Sequence, residues 1–287
     1  MNNKLLKISS IIVVLLFLLT GCRQESRDSY LNVHVIDVGQ GDSILITTPE
    51  GKSILIDGGE AKYSKNVIGY LKRENVSKID LLIATHPHAD HIGGLIDVIE
   101  AFEIKEIIMP PISHTSKTFE NLLITIQNKE LQITPATAGL QYLIQEDLNF
   151  IILGPIYDYG ADLNNWSVIA KLDYKEKSFL FTGDIEYKAE MDLINYYDKS
   201  YLKSHFLKVS HHGSSTSTHK DFLQIIAPDV AVISLGNNNP YGFPHSEVLE
   251  RLNANRILIY RTDIQGTLVF TSDGYEIWTN QKPSNYN

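Results

Sequence analysis

From residue 31 onward the chain switches repeatedly between two hydrophobic patterns. Short apolar runs at 31–36, 43–47, 52–56, 80–84, 106–109, 132–134, 140–144 and 149–153 read as strands. A second series follows at 168–174, 178–181, 206–209, 229–234, 256–260, 267–270 and 275–279. Between them, apolar residues recur every three or four positions, as in Val67, Ile68 and Leu71 or Leu122, Leu123 and Ile126. That spacing predicts helices over 63–74, 92–102, 119–128, 185–196, 218–226 and 247–253. The two element types alternate in two successive sets, the first closing with the strands of 132–153. The order predicts an α/β fold arranged as an α/β/β/α sandwich of two halves. Alternation along 31–36 puts His34 opposite Val33 and Val35, as an ordinary strand histidine.

One polar stretch interrupts this pattern. Thr85-His86-Pro87-His88-Ala89-Asp90-His91-Ile92-Gly93-Gly94 places three histidines and an aspartate within six residues. It lies between a strand and a helix, where α/β proteins carry chemistry. Pro87 biases His86 toward extended backbone, so His86 and His88 project to one side. Asp90 and His91 follow as the chain bends and face a neighbouring point. Two imidazoles on one point and an aspartate–histidine pair on the next suit two adjacent metal ions. Neutral imidazole and carboxylate match Zn, Fe or Mn. A lone histidine would read as a solvated loop residue, and His114, after Pro110-Pro111, is read that way.

His86-Pro87-His88-Ala89-Asp90-His91 resembles the metal-binding signature of the metallo-β-lactamase superfamily. Four further stretches accompany it: Val35-Ile36-Asp37-Val38-Gly39-Gln40-Gly41-Asp42-Ser43, Asn164-Asn165-Trp166-Ser167-Val168, Thr182-Gly183-Asp184, and Leu207-Lys208-Val209-Ser210-His211-His212-Gly213-Ser214. Together they resemble the hydrolase domain of the competence DNA-uptake channel family (ComEC/Rec2-like). The resemblance spans about 31–280 and implies a metallo-β-lactamase-like fold with the metals between the halves.

The resemblance also implies roles. The first ion would take His86, His88 and a bridging Asp184. Most superfamily members supply another histidine near 164–168; here water, Asn165 or Ser167 would complete the shell, Asn165 and Ser167 also being candidate substrate contacts, which argues against a β-lactamase. The second ion would take Asp90, His91, Asp184 and one of His211 and His212. His211 is preferred because it comes first after its strand, leaving His212 to hydrogen-bond substrate. Asp90, Asp184 and His212 are the expected catalytic residues, and Ser214 and His245 the remaining substrate contacts. Asp57 is a candidate to hold a ligating histidine from behind. Gln40 and Asp42 either orient a ligand or substrate, or cap their turn. The family carries Tyr-Gly-His-Pro in the loop 237–245; this chain has Phe243 where that histidine stands.

The 287 residues carry 25 lysines and arginines against 34 acids, a net charge of −9. There is no basic run, so the electrostatic footprint of a tight nucleic-acid binder is missing. Lys4 and Lys7 precede an apolar run at 8–19 that is short for a bilayer span. Leu19-Thr20-Gly21-Cys22 resembles the lipobox of a bacterial lipoprotein. The expected organisation is a signal peptide over 1–21, a lipidated Cys22 with a tether over 22–30, and a hydrolase domain over 31–280. A plain anchor helix is the alternative. Loss of Lys4 and Lys7 would lower the basic count from 25 to 23 and take the net charge from −9 to −11. Cys22 is the one cysteine, so the domain has no disulfide, thiolate ligand or cysteine nucleophile.

The expected function is a hydrolase with two divalent ions, Zn or Mn. A water held between such ions loses a proton near neutral pH and attacks phosphorus or an acyl carbon. The leading reading is a nuclease-like phosphodiesterase, acting on DNA or another phosphodiester outside the cytoplasmic membrane, to which the lipid anchors it. No segment after Cys22 is long and apolar enough to form a channel. The alternatives are a hydrolase of cell-wall phosphodiesters such as teichoic-acid decorations, and a metal-binding lipoprotein without catalysis. No protein partner is inferred.

Overall fold

The computed structural model of the protein describes residues 30–284, so the expected signal peptide, Cys22 and most of the expected tether lie outside the described residues. Two sheets pack face to face. The first has eight strands in the order Ile277–Trp278 (β17), Leu268–Ser272 (β16), Leu31–Val35 (β1), Ile44–Thr47 (β2), Ser53–Ile56 (β3), Leu81–Ile83 (β5), Ile107–Met109 (β7) and Ile133–Pro135 (β8). The second has seven, in the order Leu258–Arg261 (β15), Val230–Ile233 (β14), Phe206–Lys208 (β13), Lys177–Phe181 (β12), Ile169–Tyr174 (β11), Leu148–Gly154 (β10) and Gln141–Gln145 (β9). Lys78–Ile79 (β4) and Glu103–Ile104 (β6) form a small separate pair.

Side chains point alternately to the two faces of continuous apolar strands, so both faces of each sheet are apolar. Val33, Ile44, Ile46, Ile54 and Ile83 point inward and meet Phe150, Leu172, Phe179, Phe206 and Val232 of the other sheet. Leu45, Leu55 and Leu82 point outward, under Val67 and Leu71 of the helix Ser64–Arg73 and Val98 of the helix Leu95–Ala101. Leu180, Leu207 and Ala231 are covered likewise by Leu193 of the helix Tyr187–Tyr196 and Leu252 of the helix Ser246–Ala254. The result is the expected α/β/β/α sandwich of the metallo-β-lactamase type. Strands buried on both sides read as continuous apolar runs, which makes them visible in the sequence.

The two halves do not divide the chain where the element order suggested. β9 and β10 belong to the second sheet, not the first. β16 returns to the first sheet and pairs antiparallel with β1, Val33 opposite Phe270. Phe270 is buried in the core between the sheets, and that burial favours the return.

β1, β3 and β5 run in one direction, and β12, β13 and β14 are parallel to one another. The loops after these strands carry Asp42, Asp57, His86–His91, Asp184, His212 and Ser234.

Candidate metal centre

Three imidazole nitrogens converge on one carboxylate oxygen. Asp184 Oδ2 lies 3.1 Å from His91 Nε2, 3.4 Å from His212 Nε2 and 3.7 Å from His86 Nε2. His88 Nδ1 stands 3.0 Å from His86 Nε2. Asp90 Oδ2 is 3.9 Å from His91 Nε2 and 3.6 Å from His212 Nε2. His86, His91, His212 and Asp184 are buried, while Asp90 is 28 % exposed in its side chain. The spacing predicts that His86, His88, Asp90 and His91 gather, the resemblance adds Asp184, and the structure brings the five together.

Each buried histidine is held from behind. His91 Nδ1 lies 2.7 Å from Asp57 Oδ2. Thr85 Oγ1 donates its proton to Asp57 Oδ2 at 2.6 Å, so its oxygen is left to accept from His86 Nδ1 at 3.1 Å. His212 Nδ1 donates to the carbonyl of Ser234 at 2.8 Å. With these Nδ1 atoms occupied, a neutral ring presents its Nε2 lone pair to the centre, as metal-ligating histidines do. Among the described residues, Asp184 Oδ1 and His212 Nε2 are buried without a hydrogen-bond partner. The donor set therefore fits divalent ions. Among the described residues three overlapping groups of possible ligands result, His86–His91–Asp184, Asp90–His91–His212 and, behind them, Asp42–Asp57–His91.

His212, not His211, enters the centre, which corrects the preference for His211. The reason is the turn after β13. His211 and His212 both adopt left-handed backbone, with φ of 47° and 52°. Two such residues in succession are uncommon outside functional turns. They carry His212 inward and leave His211 nearer the surface, 3.2 Å from Glu186 Oε1.

The predicted substrate contacts are mostly engaged elsewhere. Asn165 is not directed at the centre; its Oδ1 accepts from Glu186 N at 2.9 Å and Ala189 N at 3.3 Å, capping the helix Tyr187–Tyr196. Ser167 Oγ accepts from Asp184 N at 3.0 Å and touches His86 Nδ1 at 3.3 Å, so it braces two members of the centre from outside. Ser214 Oγ closes its own turn against Thr216 at 2.9 Å. His245 Nδ1 accepts from Ser215 N at 2.9 Å and holds two loops together. His114 bonds Ser116 and takes no part in the cluster.

Sequence reasoning missed Lys208. Its ammonium is wholly buried, 2.8 Å from Asp42 Oδ2 and 2.9 Å from the carbonyl of Val209. Asp42 in turn stands 3.6 Å from His212 Nδ1. A lysine inside an otherwise apolar strand is the signal, because a buried ammonium requires a carboxylate partner. Gly41 lets this loop approach, since a Cβ there would lie 2.0 Å from the Asp90 carbonyl oxygen.

The electrostatics follow from this crowding. Burial pulls His86 and His88 below the ordinary histidine value, so both are neutral. Burial acts the same way on His91 and His212, but the carboxylates outweigh it. Asp184, Asp57 and Asp90 hold His91 well above its usual range, and Asp184, Asp90 and Asp42 push His212 up to about 10. Burial raises Asp184 and Asp90, yet the facing histidines hold both below the usual carboxylate range. Without ions, then, protons on His91 and His212 balance the carboxylates.

A cleft of about 820 Å³ opens beside Asp90 and runs between Tyr63 and Tyr241. Among the described residues, no helix is long and apolar enough to cross a membrane.

Comparison with known proteins agrees with this geometry. The metallo-beta-lactamase superfamily model matches residues 36–237. ComE operon protein 3 of Bacillus subtilis is 32% identical over 255 residues, which is 83% of this chain and 32% of that protein. Recombination protein 2 of Haemophilus influenzae is 32% identical over 260 residues, 89% of this chain and 30% of that protein. The chain thus spans about a third of the length of these relatives. Among solved structures, a putative metal-dependent hydrolase from Parabacteroides distasonis superposes with a TM-score of 0.50 at 15% identity, covering 81% of this chain and 93% of its own. CmlA, a diiron beta-hydroxylase from Streptomyces venezuelae, superposes at 0.54 with 11% identity, covering 84% of this chain and 54% of its own. These two likenesses concern the fold. The chain belongs to the metallo-beta-lactamase superfamily, among its metal-dependent hydrolases that resemble the competence proteins.

Proposed function

We propose that the protein hydrolyses phosphodiesters, with a nuclease-like preference, using two divalent ions of Zn or Mn. The observation that carries this reading is the convergence of His86, His91 and His212 on Asp184, beside Asp90 and an open cleft. Likeness to the competence proteins directs the choice toward phosphodiesters, and the missing histidine at 164–168 directs it away from β-lactams. The cell-surface location, with the domain tethered through a lipid on Cys22, belongs to the same reading.

Ions bound here would supply a water of lowered pKa and positive charge against a phosphoryl oxygen. Asp184 and its three histidines hold the inner wall of the site. Asp90, the half-buried carboxylate of the centre, lines the cleft through which substrate and water would reach it. Its carboxyl stays ionised at neutral pH, so it acts as a hydrogen-bond acceptor that orients the attacking water. Asp57, Thr85 and Ser234 fix the ring orientations, so no reorganisation is needed as substrate arrives. His211, outside the ligand set and held by Glu186, takes the substrate contact expected of His212.

The test is turnover by the purified protein with Mn or Zn on bis-p-nitrophenyl phosphate, single-stranded DNA, a wall polyol-phosphate polymer and a β-lactam. Ion-dependent cleavage of the diester and of DNA is expected, with the β-lactam intact. β-Lactam hydrolysis without phosphodiester turnover under any ion would overturn the reading, and cleavage of the wall polymer alone would move it to that substrate.

A further inference from the structure

We propose that the exposed ring of Tyr241, backed by Phe243, is a stacking subsite for the nucleobase adjoining the scissile phosphate; this rests on the phosphodiester reading above. Phe243 lies against the centre, 5.5 Å from the His211 ring and 6.3 Å from the His212 ring. Tyr241 stacks on it with centroids 5.3 Å apart and planes 22° apart. Tyr241 nonetheless remains 61% exposed and lines the cleft that begins at Asp90. One ring therefore supports, and the other offers an open face.

The loop that carries these rings is built, not loose. The Asn239 side chain donates to the carbonyls of Gly236 at 3.1 Å and Phe243 at 2.8 Å, and accepts from Phe243 N at 2.9 Å. His245 N donates to the carbonyl of Gly213 at 2.9 Å, which ties the loop to the turn bearing His212. The rings and the metal-facing histidine are thereby held in one framework.

The cleft's charge says what the open face takes. Asp37, Glu60 and Asp90 line it against one lysine, Lys62, whose ammonium already lies 2.8 Å from Glu60. Away from the centre, these lining residues offer a run of phosphates no unpaired cation. An uncharged planar ring, presented to Tyr241 and to the amides of Asn237 and Asn238, needs none. The subsite therefore selects a nucleoside on one side of the reacting phosphate, and favours unpaired strands, whose bases are free to stack.

Two substrates with one leaving group test this: p-nitrophenyl thymidine 5′-phosphate and p-nitrophenyl methyl phosphate, with the Mn-loaded protein. Tyr241→Ala should raise KM for the nucleoside ester about tenfold, within the range of one base–aromatic stack, and leave the methyl ester unchanged. Tyr241→Phe should behave as wild type. Calorimetric titration with thymidine 5′-monophosphate and with inorganic phosphate gives a second readout: Tyr241→Ala should weaken the first and spare the second. Equal effects on both esters, or unaltered nucleotide binding, would overturn the subsite. So would the same Tyr241 dependence with a polyol-phosphate polymer. If wild type cleaves neither ester yet binds the nucleotide through Tyr241, the hydrolytic reading fails and the subsite stands.

Discussion

Lys208 and Asp42 form a buried ion pair, 2.8 Å apart, directly behind His212. The pair joins β13 of the second sheet to the loop after β1 of the first. Removing one partner strands the other charge in the interior, so Lys208→Met should destabilise the protein by about 3–5 kcal/mol. Adding Asp42→Asn should recover much of that loss. Chemical denaturation of both single variants and the double variant reads the coupling; strictly additive effects would show that the pair does not act as a unit.

The choice between neighbouring histidines gives a second expectation. His212→Ala and Asp184→Ala should each lower bound metal and abolish turnover. His211→Ala should keep its metal and lose activity alone, and His114→Ala should change neither. Elemental analysis of the four purified variants decides this; metal lost from His211→Ala but retained in His212→Ala would reverse the assignment.

Ion binding should release protons. His91 and His212 are protonated at pH 7 in the ion-free centre, while His86 and His88 are neutral. Loading should therefore liberate about two protons at pH 7, and affinity should rise with pH. In the ion-free protein the raised histidine and the lowered carboxylates bear on stability in opposite senses. His212 has its value raised from 6.5 to about 10, so its contribution is full below 6.5 and is lost as pH rises toward 10. Asp184 and Asp90 are lowered, so theirs is present above 3.8 and is lost as pH falls below it. Calorimetry in buffers of different ionisation enthalpy counts the protons, and melting curves across pH follow the stability. No proton release at pH 7 would contradict these charge states.

Asp57 holds the ring of His91 and receives two hydrogen bonds from Thr85. Asp57→Asn should weaken metal binding about 10- to 100-fold, the usual effect of losing such a partner. Competition with a chromogenic chelator measures it, and an unchanged affinity would reduce Asp57 to a packing role.

The anchor is tested separately. Cys22→Ser should leave an uncleaved precursor and abolish fatty-acid labelling in cells. Equal labelling of the variant would remove the lipid anchor from the proposal.

Much of the fold and the centre is legible in the sequence, for definite reasons. His86, His88, Asp90 and His91 fall within six residues, so local spacing alone gathers them. The strands are legible because both faces of each sheet are covered. Strand order is not, since the return of β16 to β1 depends on pairing and burial rather than on periodicity. His211 and His212 are indistinguishable for a similar reason: a left-handed turn reverses which ring points inward, and nothing in the pair's composition announces it. Asn165 is a case where a polar residue in a family motif caps a helix instead of facing the site.

The centre draws its donors from both sheets: His86, His88, Asp90 and His91 from the loop after β5, Asp184 from the end of β12, and His212 from the turn after β13. The ligand groups at Asp184 and at His212 each need residues from both halves of the chain. An ion bound there would therefore span the two sheets and act as a rivet across the closed sandwich.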